Sequence, residues 1–139
     1  MIKAIKIFFF TILIFNPLFA KNLYLQEGLD LYKSKKFQKA KFKFEQEIVN
    51  NPKSELSYLY LSKIFNNLNK KKLEEQNLNT VILLNPKNEE ATFNLAKLKL
   101  ESSDYKKSKE LNDILISFCN KFCEKSKQLK IKIENLSKK

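Results

Sequence analysis

The chain has 139 residues and a formal charge of +12, from 27 cationic side chains against 15 acidic ones; every cation is lysine, His and Trp are absent, and glycine occurs once, as Gly28. Without His the commonest neutral-pH base and metal ligand is missing, no Ser-His-Asp or Cys-His pair can be assembled, and one glycine cannot make a phosphate-cradling loop or a dinucleotide fingerprint. What remains is a Lys-, Leu- and Asn-rich helical composition for one domain or one short repeat array, suited to binding rather than catalysis, with no cofactor and no metal expected.

The N-terminus reads as an address. Lys3 and Lys6 form a basic start, Ile7 to Phe15 is apolar apart from Thr11, and Asn16-Pro17-Leu18-Phe19-Ala20 offers a helix break and a small residue before Lys21. That order predicts a signal peptide over 1–20, removed on export to a periplasmic or other extracytoplasmic space. The alternative is an uncleaved anchor, but nine apolar residues at about 1.5 Å each span far less than the roughly 30 Å of a hydrocarbon core.

Beyond the leader the chain repeats every 34 residues. Asn51-Pro52-Lys53 recurs as Asn85-Pro86-Lys87, a small-residue column runs through Gly28, Ser62 and Ala96, and Ile48, Ile82 and Ile116 are identical. Tyr24 matches Tyr58, Leu31 matches Phe65, Phe37 matches Tyr105, and Phe44 matches Leu78, whereas Lys99, Lys71 and Asn112 break their columns. Apolar residues within each period fall three, four or seven apart, as in Leu61, Ile64, Phe65 and Leu68, which predicts helix. Ser34-Lys35-Lys36, Asn66-Asn67 with Asn69, and Ser102-Ser103-Asp104 interrupt mid-period, and Asn-Pro closes the period because the residue before Pro disfavours helix. Each period is therefore expected to fold as two antiparallel helices of about thirteen residues.

This pattern resembles the tetratricopeptide repeat, a 34-residue helix-turn-helix unit. Tyr24, Gly28, Phe37, Ala40, Phe44 and Pro52 carry the likeness in the first repeat. In the second it rests on Tyr58, Leu61, Ser62, Phe65, Leu78 and Pro86, and in the third on Leu95, Ala96, Tyr105, Ser108 and Ile116, with Asn120 where Pro would stand. The resemblance implies an all-α solenoid of three hairpins: repeats at 21–54, 55–88 and a degenerate 89–120. Glu74 facing Ser62 is expected to weaken the middle hairpin. An array of this kind needs a terminal helix over its last apolar face. Phe122, Leu129, Ile133 and Leu136 supply one, so 121–139 is expected to be a capping helix with a basic tail.

The resemblance also implies a ligand groove lined by the first helix of each hairpin. Stepping by 34 places Leu25, Leu29, Tyr32 and Lys33, then Leu59, Lys63, Asn66 and Asn67, then Phe93, Lys97 and Leu100 on that face. An apolar floor beside Lys and Asn suits a peptide or helix of a protein partner. The family's carboxylate clamp is not carried over, because Leu25 and Leu29 hold the first-repeat places where it needs Lys and Asn, and Tyr60, Glu90 and Asn94 hold the others.

Lysine runs at 35–36, 70–72 and 106–107 raise a polyanion or membrane-surface binder as an alternative, with membrane contact through peripheral Lys or an uncleaved leader. Zero Arg argues against nucleic acid, and 27 Lys with no Arg also follows from nucleotide bias. Glu74-Glu75 and Glu89-Glu90 read as structural, the latter as acids at a helix start.

The two cysteines, Cys119 and Cys123, are expected to form an intrachain disulfide in an oxidising compartment. They could meet only if the chain turns near Asn120; one helix running through would keep both thiols free. A thiol-redox or haem-handling accessory is the corresponding alternative function. The leading expectation is a non-catalytic scaffold in a bacterial-type cell envelope that binds a partner segment in its groove.

Overall fold

A computed structural model describes residues 23–138, so the expected leader, 1–20, and the expected mature start at Lys21 lie outside the described residues. The described chain is seven helices and no strand: α1 Leu23–Lys33, α2 Phe37–Asn50, α3 Glu55–Asn67, α4 Lys71–Leu84, α5 Glu89–Glu101, α6 Tyr105–Phe118 and α7 Cys123–Leu136. The bounds carry the sequence period. The second helices begin at 37, 71 and 105, and the helices that open each later unit begin at 55, 89 and 123. None of the helices is long and apolar enough to cross a membrane.

Paired helices lie close because the small-residue column lets them. Gly28 is buried in α1, and a Cβ built on it would stand 2.7 Å from Phe44 Cε1 and 2.8 Å from Cδ1. At the same places Ser62 and Ala96 are 2 % and 0 % exposed, and the opposing column of Phe44, Leu78 and Asn112 is wholly buried. Side-chain bulk on the second helix is thus matched by smallness on the first.

Each hairpin turn is closed in one way. Lys35, Asn69 and Ser103, also 34 apart, hold positive φ of 58°, 54° and 60°. The Lys36, Lys70 and Asp104 N–H groups each donate to the carbonyl five residues back, those of Leu31, Phe65 and Lys99, at 2.9 Å. The Lys35, Asn69 and Ser103 N–H groups donate to the carbonyls of Tyr32, Asn66 and Leu100 at 2.9–3.0 Å. This is a Schellman ending, which normally recruits glycine for its left-handed residue. With glycine confined to Gly28, the chain builds it from Lys, Asn and Ser.

Neighbouring units are joined by a glutamate at the start of a first helix that grasps the turn before the next one. Glu55 Oε1 accepts from Asn85 Nδ2 at 3.0 Å and Asn88 Nδ2 at 2.5 Å. One period on, Glu89 Oε2 accepts from the backbone N–H groups of Lys121 and Phe122, both at 2.8 Å. That second turn also holds the disulfide between Cys119 and Cys123, whose Cα atoms are 5.3 Å apart. The chain does turn after α6: Cys119 is extended, with φ −62° and ψ 150°, and α7 starts only at Cys123.

The cap is seated partly by polar contacts. Leu129 and Ile133 are buried in the core of the last two hairpins, while Leu136 is 39 % exposed and covers little. Asn112, which breaks the apolar column, donates from Nδ2 to the Ser126 carbonyl at 3.1 Å and accepts from Ser126 Oγ at 2.7 Å, with both residues fully buried. A cap seated in another register would strand that amide, at a cost of about 1–3 kcal/mol.

Two single changes should move stability in opposite directions. Gly28→Ala improves helix propensity by up to about 1 kcal/mol but drives a methyl into the Phe44 ring, so a net loss of about 1–3 kcal/mol is expected. Ser103→Gly removes a left-handed strain on the order of 1 kcal/mol and should raise the melting temperature by a few degrees. Thermal melts of both variants check the pair; an unchanged Gly28→Ala would mean the hairpin has slack at Phe44.

Candidate functional site

The opening helices of the units, α1, α3, α5 and α7, line one face, and two adjoining clefts lie along it. The first, of about 340 Å³, is bounded by Tyr32 of α1, Ser62, Lys63, Asn66 and Asn67 of α3, Glu74 of α4, and Glu90, Asn94, Lys97, Leu98 and Glu101 of α5. The second, of about 420 Å³, lies between α5 and α7: Phe93, Lys97, Leu100 and Glu101 face Lys125, Gln128, Leu129 and Lys132. Lys97 and Glu101 belong to both, so the clefts form one groove.

Helical spacing explains the membership. Glu90, Asn94, Lys97 and Glu101 follow steps of four, three and four on α5, as Phe93, Lys97 and Leu100 follow four and three. On α7, Lys125, Gln128, Leu129 and Lys132 follow steps of three, one and three; by the 34-residue period only Gln128 and Lys132 stand where Asn94 and Leu98 line the first cleft.

The two clefts differ in chemistry. In the first, two lysines meet three glutamates, and the charges are largely engaged with one another. Lys63 Nζ lies 2.7 Å from Glu90 Oε1 and 4.6 Å above the Tyr60 ring. Tyr60 in turn stacks on Phe44 at 5.3 Å and meets Tyr32 edge-on at 4.8 Å, which ties the groove wall to the first-hairpin core. Burial holds the Tyr32 phenol above its ordinary pKa, with Lys63 opposing. Glu74, 4 % exposed, accepts from Asn66 Nδ2 at 3.0 and 3.1 Å. Burial pushes its carboxyl above the usual range, and the Asn66 hydrogen bond works the other way. The expected misfit of Glu74 against Ser62 is met by that amide.

The second cleft has an apolar floor. Leu129 is buried, Phe93 and Leu100 are half-buried, and Phe93 lies against Phe122 with ring centroids 5.5 Å apart. Three lysines surround it against the single Glu101, which sits 3.5 Å from Lys97 Nζ.

Of the residues expected on the groove, Tyr32, Lys63, Asn66, Asn67 and Lys97 line the first cleft, and Phe93, Lys97 and Leu100 the second. Leu59 must be corrected: it is 5 % exposed and packed in the core of the last two hairpins, so it offers no groove surface. Leu25 and Leu29 are half-buried against the first-hairpin core and line neither cleft. Lys33 is exposed at the end of α1, 3.8 Å from Asp30, and also stands apart. Glu74 and the cap residues were not foreseen. Among the cap residues only Gln128 lay one period on from an α5 stripe residue, Asn94; Glu74 was expected to face Ser62, but its place at the cleft and its bond to Asn66 were not. Among the described residues no cluster of three or more His, Cys, Asp or Glu side chains could hold a metal.

The sequence matches no protein-family model and no curated protein. The structure is similar to solved tetratricopeptide-repeat domains. The TPR2B domain of yeast Sti1, in a complex with pHsp70, superposes with a TM-score of 0.76 and 15 % identity, covering 84 % of this chain and 98 % of that one. The first TPR of Spaghetti (RPAP3), bound to the HSP90 peptide SRMEEVD, gives 0.74 and 14 %, covering 84 % and 93 %. The Yersinia enterocolitica type III secretion chaperone SycD, with a peptide of the translocator YopD, gives 0.73 and 17 %, covering 86 % and 92 %. The chain thus has the tetratricopeptide-repeat fold, an all-helical solenoid.

Glu74 and Glu89 should leave opposite marks on the pH dependence of stability. Glu74 has a raised folded-state pKa, so its charge is a burden at neutral pH that is relieved as pH falls through the carboxylate range. Glu74→Gln should therefore stabilise near neutrality, with the gain shrinking on acidification. Glu89 is held below the ordinary range, first by the backbone N–H groups of the 120–122 turn. Its contribution is present above the unfolded pKa and is lost as pH falls through the lower folded one. Glu89→Gln should destabilise near neutrality and converge on the parent in acid. Melting curves across pH for both variants check this; parallel curves would sink it.

Proposed function

We propose that this chain is a non-catalytic interaction scaffold that binds a segment of a protein partner along the groove made by α1, α3, α5 and α7. The observation that carries the reading is the groove's continuity: the two clefts share Lys97 and Glu101 and together run from Tyr32 to Lys132. An open trough of that length suits an extended or helical segment better than a compact small molecule. Structures of the same fold solved with bound peptides, those of Spaghetti and SycD, support it. A carboxylate clamp is not part of the reading, because Lys63 is already paired with Glu90. The two cysteines are joined within a turn, which favours a structural role for them over thiol chemistry.

We further place the scaffold outside the cytoplasm, in a bacterial-type envelope. The basic, apolar, Pro17-to-Ala20 order of the first twenty residues supports that setting, and the disulfide fits it.

Photo-crosslinking side chains placed at Asn67, Asn94 and Lys97 in the native host test the groove. All three should capture one and the same protein, while a crosslinker at Leu83, 81 % exposed on α4, should not. Capture from Leu83 alone, or from none of the groove positions, would refute the reading. Intact-mass measurement of the same preparation should give a chain beginning at or near Lys21; a retained Met1 would make it an anchored protein instead.

A further inference from the structure

The cleft between α5 and α7 differs from the rest of the groove in two respects. Its floor is apolar, built from Phe93, Leu100 and Leu129, and its rim is basic, with Lys97, Lys125 and Lys132 against Glu101 alone. Among the described residues, neither Lys125 nor Lys132 has a carboxylate within ion-pair distance; Lys125 Nζ instead lies 4.8 Å over the Phe122 ring. In the adjoining cleft the balance reverses, with two lysines facing three glutamates. One end of the groove therefore lacks the negative charge that its lysines would pair with, and the other end does not.

Building on the scaffold reading, we infer that the α5–α7 cleft is the docking site for an acidic segment of a partner protein. Bulky apolar side chains of that segment enter between the helices, and flanking carboxylates meet Lys125 and Lys132, since Lys97 is already paired with Glu101. Charge complementarity selects this occupant. A second copy of the chain would bring its own excess of lysine, +12 overall, against the same rim. A flat anionic membrane would meet the lysines, but the floor is recessed between two helices and is reached only by side chains that project into it. The apolar floor supplies the affinity that desolvation allows, and the rim sets which sequences are accepted.

The geometry of the cap makes this site a property of the whole array. Phe93 is backed by Phe122, and the turn carrying Phe122 is held by Glu89 and closed by the disulfide. The separation of α5 and α7, and hence the width of the cleft, is fixed by those contacts.

The test uses the full chain and three short fluorescent peptides: a Glu-rich one with two Leu residues four apart, the same with both Leu replaced by Ser, and the same with every Glu replaced by Lys. A photoreactive group beside one Leu position reports where each binds. The Glu-Leu peptide should bind and crosslink to α5 and α7 around Phe93, Leu100 and Leu129. Binding should weaken on the order of tenfold in Lys125→Glu/Lys132→Glu, whose exposed positions should leave the melting curve unchanged. The Ser and Lys peptides should bind far more weakly. Equal binding of the Lys peptide, or undiminished binding to the double variant, would overturn the inference. So would vesicles of anionic phospholipid that protect Phe93 while no peptide binds. Crosslinks confined to Tyr32, Asn66 and Asn94 would overturn it while leaving the groove reading intact; failure of the scaffold itself would show separately, as loss of all capture from Asn67, Asn94 and Lys97 in the host.

Discussion

The contact between Gly28 and Phe44 sets the scale for everything built on it. Two helices can approach so that a phenyl ring fills the space of a missing side chain only if the first helix carries no Cβ there. The same pairing of a small residue with a buried one recurs in each unit, whose second helices start at 37, 71 and 105. In the later hairpins the demand relaxes as the facing residue shrinks, and Ser62 and Ala96 suffice. The Phe44 ring also supports Tyr60, and Tyr60 supports both Tyr32 and Lys63. One glycine in the core thereby orients side chains on the groove wall.

Stacking alone would leave the hairpins free to slip, and glutamates at the helix starts oppose that. Glu55 and Glu89 occupy the same place in successive units and each holds the turn ahead, through Asn85 and Asn88 in one case and through bare backbone N–H groups in the other. The change of donor follows from the residues at those places: where the second turn has the amides of Asn85 and Asn88, the third has Cys119 and Phe122, so the carboxylate takes backbone N–H groups instead, and the disulfide closes the same turn. The third unit looks worn in sequence for a related reason. Asn112 abandons the apolar column to bond Ser126 of the cap, and Lys99 abandons its column to reach Glu75 at 2.6 Å.

The sequence made the fold plain because period and helix spacing reinforce each other over three units. Pro52, Pro86 and the Gly28–Ser62–Ala96 column carry the register without help from overall composition. The groove was only partly legible. Tyr32, Lys63, Asn66 and Lys97 could be found by stepping 34, but the same step landed on Leu59, which the rotation of α3 turns into the core one position away from Tyr60. Leu25 and Leu29 fell out because they pack against the first-hairpin core. Glu74 was legible only in part. The period sets it in the buried column of Ala40 and Ser108, facing Ser62, but does not show the Asn66 amide, eight residues back on the neighbouring helix, that accommodates its carboxylate.

Net charge is a poor guide to such a site, because what matters is which charges are already spoken for. The chain as a whole carries a large lysine excess, yet Lys63 is neutralised by Glu90 at 2.7 Å, and Lys99, outside the clefts, by Glu75. An ion pair already made presents little field to an incoming ligand and must be broken before either member can serve another. On the proposed reading, the α3–α5 stretch of the groove offers amides, hydroxyls and aromatic faces, which suit a peptide backbone of many sequences. The α5–α7 stretch keeps Lys125 and Lys132 unengaged beside an apolar floor, the arrangement on which the proposed discrimination by side chain rests. On that proposal the selective end lies against the cap, in the part of the array held by the Glu89 turn and the Asn112–Ser126 pair, where a shift in helix spacing would alter the floor and the rim together.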